Sequence, residues 1–211
     1  MKKESNIEWW EKVLENLPDS YVFWFEKEKE YLRKNISKDS KVLEVGCGEG
    51  RSLNYILDIT NNIVGIDNDS KAIADAKKNL GDFDFQVADG KDLPFEDDSF
   101  DYVICMTTPA NFGEEKDKFY SEMKRVIKDR GEIILSVFNE AAMEERVKLY
   151  NRVGVGIKEI VGGRVIFEDS VNVSFSEQFS CSELEEIFER NGLKVIEIVK
   201  EGIGYFCRLR K

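Results

Sequence analysis

A chain of 211 residues, 42% of them hydrophobic and 14 of them phenylalanine, is long enough to bury one sizeable core. Its 31 basic and 42 acidic side chains leave a formal net charge of −11, a field that repels phosphate backbones and anionic lipid, so neither nucleic acid nor a membrane is an expected partner. Histidine is absent, which excludes Ser-His and Cys-His nucleophilic sites and every His-ligated metal centre.

Residues 7–34 carry Ile7, Trp10, Val13, Leu14 and Leu17, then Tyr21, Phe25, Tyr31 and Leu32, at roughly helical spacing, which predicts two helices broken near Pro18. The charge run Glu26 to Lys29 reads as a solvated helix face. From Lys41 short apolar runs alternate with amphipathic stretches: KVLEVG, GRSLNYILDI, NIVGID, SKAIADAKKNL and FDFQVAD. That order predicts β-α-β-α-β with a parallel sheet, because parallel strands need a crossover and a helix is the usual one. FDYVICM adds a strand, EEKDKFYSEMKRVI a helix and GEIILSVFN a further strand. Residues 140–152 read as helix. Residues 153–180 read as a β-rich insertion with a hairpin turning at Gly162-Gly163. Ser182 and Glu185 match a capping box for a helix running through Arg190 and closed by Asn191-Gly192, and LKVIEIVK and YFCRLRK follow as an antiparallel pair joined at Glu201-Gly202.

No repeat, low-complexity tract or linker interrupts the chain, so one domain over 1–211 is expected. It divides into a helical cap (1–39), a core (41–138), an insertion (139–180) and a closing helix with two strands (181–211). No apolar run approaches the ~20 residues of a membrane span. Cys47, Cys105, Cys181 and Cys207 form no C-x-x-C pair and sit in apolar or glycine-rich contexts. They read as small buried hydrophobes in a reducing cytoplasm rather than as a disulfide or zinc framework.

The stretch VLEVGCGEG places Glu44, Gly46, Gly48 and Gly50 between the first strand and the first helix of the alternating core. Glycines there let backbone approach a ligand, and a helix N-terminus favours polar or anionic groups. The dinucleotide pattern G-x-G-x-x-G would need glycine at position 51, where this chain has Arg51, so a nicotinamide oxidoreductase is a lesser alternative. Asp67 ends the strand NIVGID, where a carboxylate can accept both hydroxyls of a ribose. Asp89 ends FQVAD and is followed by Gly90.

The set VLEVGCGEG, GIDNDSKAIADA and ADGKDLPFEDDSFDYVIC resembles the class I S-adenosylmethionine-dependent methyltransferases, densely over residues 41–138 and more loosely to the C-terminus. The resemblance implies an α/β fold: a doubly wound, mostly parallel seven-stranded sheet with an antiparallel last strand. It also implies S-adenosylmethionine as donor, with no metal. Gly46, Gly48 and Gly50 would pass under the methionine and ribose portions, with Cys47 among them and Glu44 bracing the loop and the amino-acid end. Asp67 would hold the ribose hydroxyls and Asn68 would lie beside the adenine. Asp89, flanked by Ala88 and Gly90, would accept from the adenine amino group, and Met106 would lie near the sulfonium.

Methyl transfer from a sulfonium is an in-line displacement on an activated carbon, so alignment in a dry pocket matters more than a dedicated nucleophile, and no catalytic residue is assigned. Thr107-Thr108-Pro109-Ala110 lacks the (D/N/S)-P-P-(Y/F) signature of enzymes that methylate exocyclic amines of bases, which leaves a small molecule or a protein side chain as acceptor. Thr108, Asn111 and Tyr21 are the candidate acceptor-side residues. A non-catalytic adenosine-binding module is the alternative from another class.

Overall fold

The computed structural model describes residues 12–168 and 174–211. Ile7 and Trp10, and the stretch 169–173 of the insertion, lie outside the described residues. A helical turn at 12–15 precedes Pro18, which is the N-cap of helix α1 (Asp19–Asn35) with an extended φ/ψ of −66° and 157°. The break near Pro18 therefore falls where its fixed φ and missing N–H place it.

The core follows as β1 (Val42–Val45), α2 (Arg51–Asn54), β2 (Ile63–Asp67), α3 (Ser70–Leu80), β3 (Asp84–Val87), β4 (Phe100–Met106), α4 (Lys116–Val126) and β5 (Ile127–Phe138). After α5 (Met143–Arg152), strands β6 (Ile157–Val161), β7 (Arg164–Phe167) and β8 (Phe175–Glu177) form a separate three-stranded antiparallel sheet. The chain closes with α6 (Cys181–Arg190), β9 (Lys194–Glu201) and β10 (Gly204–Arg210). The main sheet has seven strands in the order β3-β2-β1-β4-β5-β10-β9. β1 pairs in parallel with β2 and β4, while β10 runs antiparallel between β5 and β9. The expected sheet is thus observed, with its antiparallel last strand inserted inside the edge rather than placed on it.

Strand alternation splits the core into two layers. Val42, Ile104, Ile134 and Phe206 point to the face covered by α1, α2 and α3, where they meet Tyr21, Trp24, Leu53 and Ile73. Leu43, Val103, Cys105, Leu135 and Cys207 point to the other face and meet Phe119, Met123, Leu184 and Phe188 of α4 and α6. Both faces are covered, which is why β1 reads as an unbroken buried run rather than an alternating one.

Three expectations need correction. Glu28 is fully buried rather than solvated, because it lies on the stripe of Tyr21, Trp24, Phe25, Tyr31 and Leu32 that α1 turns to the sheet. The stretch GRSLNYILDI yields one helical turn followed by non-helical turns. The capping box of α6 is Ser180 with Glu183, two residues before the expected pair. The sequence contains two overlapping S-x-x-E matches. Phe179 is bridged to Asn139 and Ser180 is still extended, so the helix starts from the earlier match. The hairpin at Gly162, with φ +57°, forms where expected.

Candidate active site

The turn after β1 is held by backbone bonds to β2: the N–H groups of Gly46 and Cys47 both donate to the carbonyl of Ile66, at 2.8 and 2.9 Å. Gly46 and Gly48 have φ of +77° and +54°, a region costly for other residues. They are needed for different reasons. A Cβ on Gly46 would collide with the Thr108 side chain, whereas a Cβ on Gly48 would meet nothing within 4 Å and would project into open space.

Asp67, nineteen positions after Gly48 and at the end of β2, locks that turn: its Oδ2 accepts from the Gly48 N–H at 3.0 Å and its Oδ1 from the Asp69 N–H at 2.9 Å. Burial pushes its carboxyl up, and these two backbone N–H groups pull it back in part. Asp89 accepts from the Lys91 N–H at 2.9 Å, and the Lys91 ammonium bonds Glu115 at 2.7 Å.

Glu44 lies inside β1 and is 1% exposed, with an Oε2 that has no hydrogen-bond partner among the described residues. Burial raises its carboxyl to about 8, the nearby Arg51 guanidinium offsetting part of the effect. Arg51 pairs with Glu28 at 2.5 Å, donates to the Tyr55 hydroxyl at 3.1 Å and stacks 4.1 Å from the Phe25 ring centre. Burial alone would lower the Arg51 pKa, but the Glu28 carboxylate more than offsets it and the guanidinium stays charged. The other Glu28 oxygen accepts from the Ser136 hydroxyl at 3.0 Å, and that hydroxyl oxygen accepts from the Thr107 N–H at 3.0 Å. Thr107 is held at φ +69°, a strained conformation for a β-branched residue. One buried carboxylate of α1 therefore ties together the helix after the glycine turn and the end of β4.

These elements surround a cavity of about 410 Å³ at the carboxyl ends of the parallel strands. Of the residues singled out from sequence, Glu44, Gly46, Cys47, Gly48, Asp67, Asn68, Ala88, Asp89, Gly90 and Met106 all line it, as do Thr108 and Asn111. Two do not. Gly50 caps α2 and faces Leu80. Tyr21 is fully buried against Trp24, Phe25 and Phe138, so the structure corrects its placement from acceptor contact to core. Leu14, Phe138, Tyr150 and Ser174–Ser176 complete the far wall, and sequence reasoning did not single them out. Glu28 and Arg51 carried a usable signal, an acid on an apolar stripe and a cation just after the glycine turn. The far-wall residues carried none. Among the described residues no group of three or more His, Cys, Asp or Glu side chains could hold a metal, and no helix is long and apolar enough to cross a membrane.

A family model described as a methyltransferase domain matches residues 36–192. The chain belongs to the class I S-adenosylmethionine-dependent methyltransferase family. Among curated relatives, the uncharacterized protein MJ1123 of Methanocaldococcus jannaschii is 32% identical over 134 residues, 60% of this chain and 62% of that protein. The match thus spans less than two thirds of that relative. Among solved structures, the PH0226 protein of Pyrococcus horikoshii superposes with a TM-score of 0.75 at 23% identity, covering 92% of each chain. A SAM-dependent methyltransferase of Methanosarcina mazei gives 0.67 at 18% identity, covering 86% of this chain and 96% of that chain. At such identities the superpositions speak for the fold.

Proposed function

We propose that this chain transfers the methyl group of S-adenosylmethionine to a small molecule or a protein side chain, working as one domain in the reducing cytoplasm, where its four cysteines stay free. The observation that carries the reading is the convergence of Glu44, Gly48, Asp67 and Asp89, from three strand ends, on one cavity. The site fits the donor. Gly48 leaves open space where a side chain would stand, and Glu44 offers a buried oxygen with no hydrogen-bond partner among the described residues.

When bound, the donor supplies a methyl already activated by a sulfonium. The chain's own residues then bind, orient and exclude water. Asp67, fixed by Gly48 and Asp69, keeps one further lone pair on each oxygen for the ribose hydroxyls. Asn68, Ala88, Asp89 and Gly90 would frame the adenine, with the carboxylate of Asp89 placed to accept from its amino group. Glu44 would face the cationic amino-acid end, and Cys47 and Met106, which line the same cavity, would wall the sulfonium. Thr108 and Asn111 border the acceptor, and Phe138, Tyr150 and Phe175 shield it from water, which strengthens alignment in the dry pocket. The test is calorimetry with S-adenosylmethionine, S-adenosylhomocysteine and NAD. The two methionine-derived ligands should bind, and binding of NAD alone would sink the reading.

A further inference from the structure

Arg146 of α5 is fully buried and has no ion-pair partner among the described residues. Its Nη2 donates to the Ser176 carbonyl at 2.8 Å, Nη1 to Oε1 of Gln178 at 3.1 Å, and Nε to the Tyr150 hydroxyl oxygen at 3.4 Å. Its guanidinium also lies 4.7 Å from the Phe138 ring centre and 5.8 Å from that of Tyr150. All of these partners are neutral. The neighbouring acids are engaged elsewhere: Glu145 accepts from Ser20 and Lys148, and Glu177 pairs with Lys116 and Arg164. Arg51, by contrast, has the buried carboxylate of Glu28. A buried cation without a counter-ion has lost hydration that neutral acceptors restore only in part.

Its position gives the charge a use. Phe138, Tyr150 and Ser176, three of the groups it touches, line the far half of the cavity, so Arg146 stands one side chain behind that wall. The lining carboxylates Glu49, Asp67, Asp69 and Asp89 belong to the donor half, as does Glu44, whose burial favours its protonated form, and Glu115 is tied to Lys91 beside Asp89. The cavity is thus negative where the cationic donor would lie and backed by a positive charge at the other end. Among the described residues the far half offers no carboxylate, and the chain has no histidine, to take a proton from a neutral nucleophile. Thiols and phenols, with ordinary pKa values near 8.5 and 10, need such a base at neutral pH, whereas a carboxyl group arrives ionised.

Resting on the function proposed above, we propose that the methyl acceptor is a small organic carboxylate, its charge stabilised by Arg146 acting as a fixed cation behind Phe138, Tyr150 and Ser176. One carboxylate oxygen forms a bond to the methyl carbon as the carbon–sulfur bond breaks, its electron pair staying on sulfur. The product is a methyl ester and the neutral thioether. The two charges cancel and no proton moves. Arg146 is a positioning residue, since its field reaches the acceptor through the wall.

The test uses the full chain loaded with S-adenosylhomocysteine and pairs of near-equal shape: benzoate with benzamide, phenylacetate with phenylacetamide, and hexanoate with hexanamide. Calorimetry should show at least one acid binding at least tenfold tighter than its amide, and mass spectrometry with S-adenosylmethionine should find its methyl ester. Arg146→Lys should keep the acid-to-amide ratio and Arg146→Gln should bring it close to one, with donor affinity within twofold of wild type in both. Structural damage would weaken both members of a pair alike, so the ratio isolates the charge. If Arg146→Gln fails to fold, the wild-type ratio still decides. Amides binding as tightly as acids, or no acid binding at millimolar concentration while the donor binds, would overturn the inference and leave the methyltransferase reading standing. Failure of the wild-type chain to bind the donor would strike that reading itself.

Discussion

The two halves of the cavity are built in opposite ways. The donor half comes from three consecutive strand ends, β1, β2 and β3, whose backbones brace one another: Ile66 carries the glycine turn and Asp67 pins Gly48. The far half, proposed to receive the acceptor, is drawn from Leu14, the end of β5, α5 and the strand β8, segments far apart in sequence that meet only because the sheet brings them to one edge. A site made of local backbone tolerates change around it, whereas one made of distant side chains depends on whatever holds those segments down. Here much of that duty falls on α1, through Trp24 in the core and Glu28 at the junction of the two halves.

The largest effect should come from deleting residues 1–35. Tyr21, Trp24, Phe25 and Leu32 are buried, and each such side chain contributes roughly 1.5–3 kcal/mol, against a net domain stability of about 5–15 kcal/mol. The truncated chain should therefore lose cooperative urea unfolding and donor binding together. A truncated chain that unfolds cooperatively and binds donor would show the halves to be independent.

Next comes Glu28→Ala, which leaves Arg51 buried without its partner. Breaking a buried pair from one side costs about 3–5 kcal/mol, read as a lower urea midpoint. Because Glu28 also holds Ser136 and, through it, Thr107, acceptor turnover should fall more than donor affinity. Equal losses would mean that the residue serves stability alone.

Asp67→Ala acts on the donor half only. Loss of the ribose-binding carboxylate should weaken donor binding by roughly 1.5–3 kcal/mol, tenfold to over a hundredfold, with little change in acceptor specificity. Unchanged affinity in calorimetry would place the ribose elsewhere.

The last effect is a pH dependence set by Glu44. Its carboxyl is raised from the ordinary 4.5 to about 8 in the folded chain, so the folded state binds more protons than the unfolded state between those values. Stability from this group is full below about 4.5, is lost as pH rises through about 8, and levels off above. A cationic donor group beside Glu44 favours the ionised form, so donor affinity should rise with release of a proton from pH 6 until the donor's own α-amino group titrates at about pH 8. Glu44→Gln should flatten both trends, and a donor affinity independent of pH in the wild type would separate Glu44 from the donor's charge.

Much of the fold could be read from the chain itself, because a doubly wound sheet writes its order into alternating apolar runs and leaves its glycine turn and strand-end acids in fixed places. Errors arose where two local solutions competed or where a face had to be chosen. The overlapping S-x-x-E matches at Ser180 and Ser182 have equal local merit, and only the bridge from Phe179 to Asn139 selects the first. Glu28 looks like surface in a run of charges, and only the rotation of α1 against the sheet buries it opposite Arg51.

The sequence alone determined the strand order's raw material, the positive-φ glycines and the strand-end carboxylates of the donor half, because these depend on backbone sterics and near neighbours. The tertiary structure alone decided that Tyr21 is core, that Glu28 links the turn after β1 to the end of β4, and that Arg146 stands behind the far wall of the cavity among neutral partners. Those facts depend on which side chains from distant segments meet in a low-dielectric interior. A local pattern carries no record of that meeting, because burial and charge pairing are properties of the packed whole.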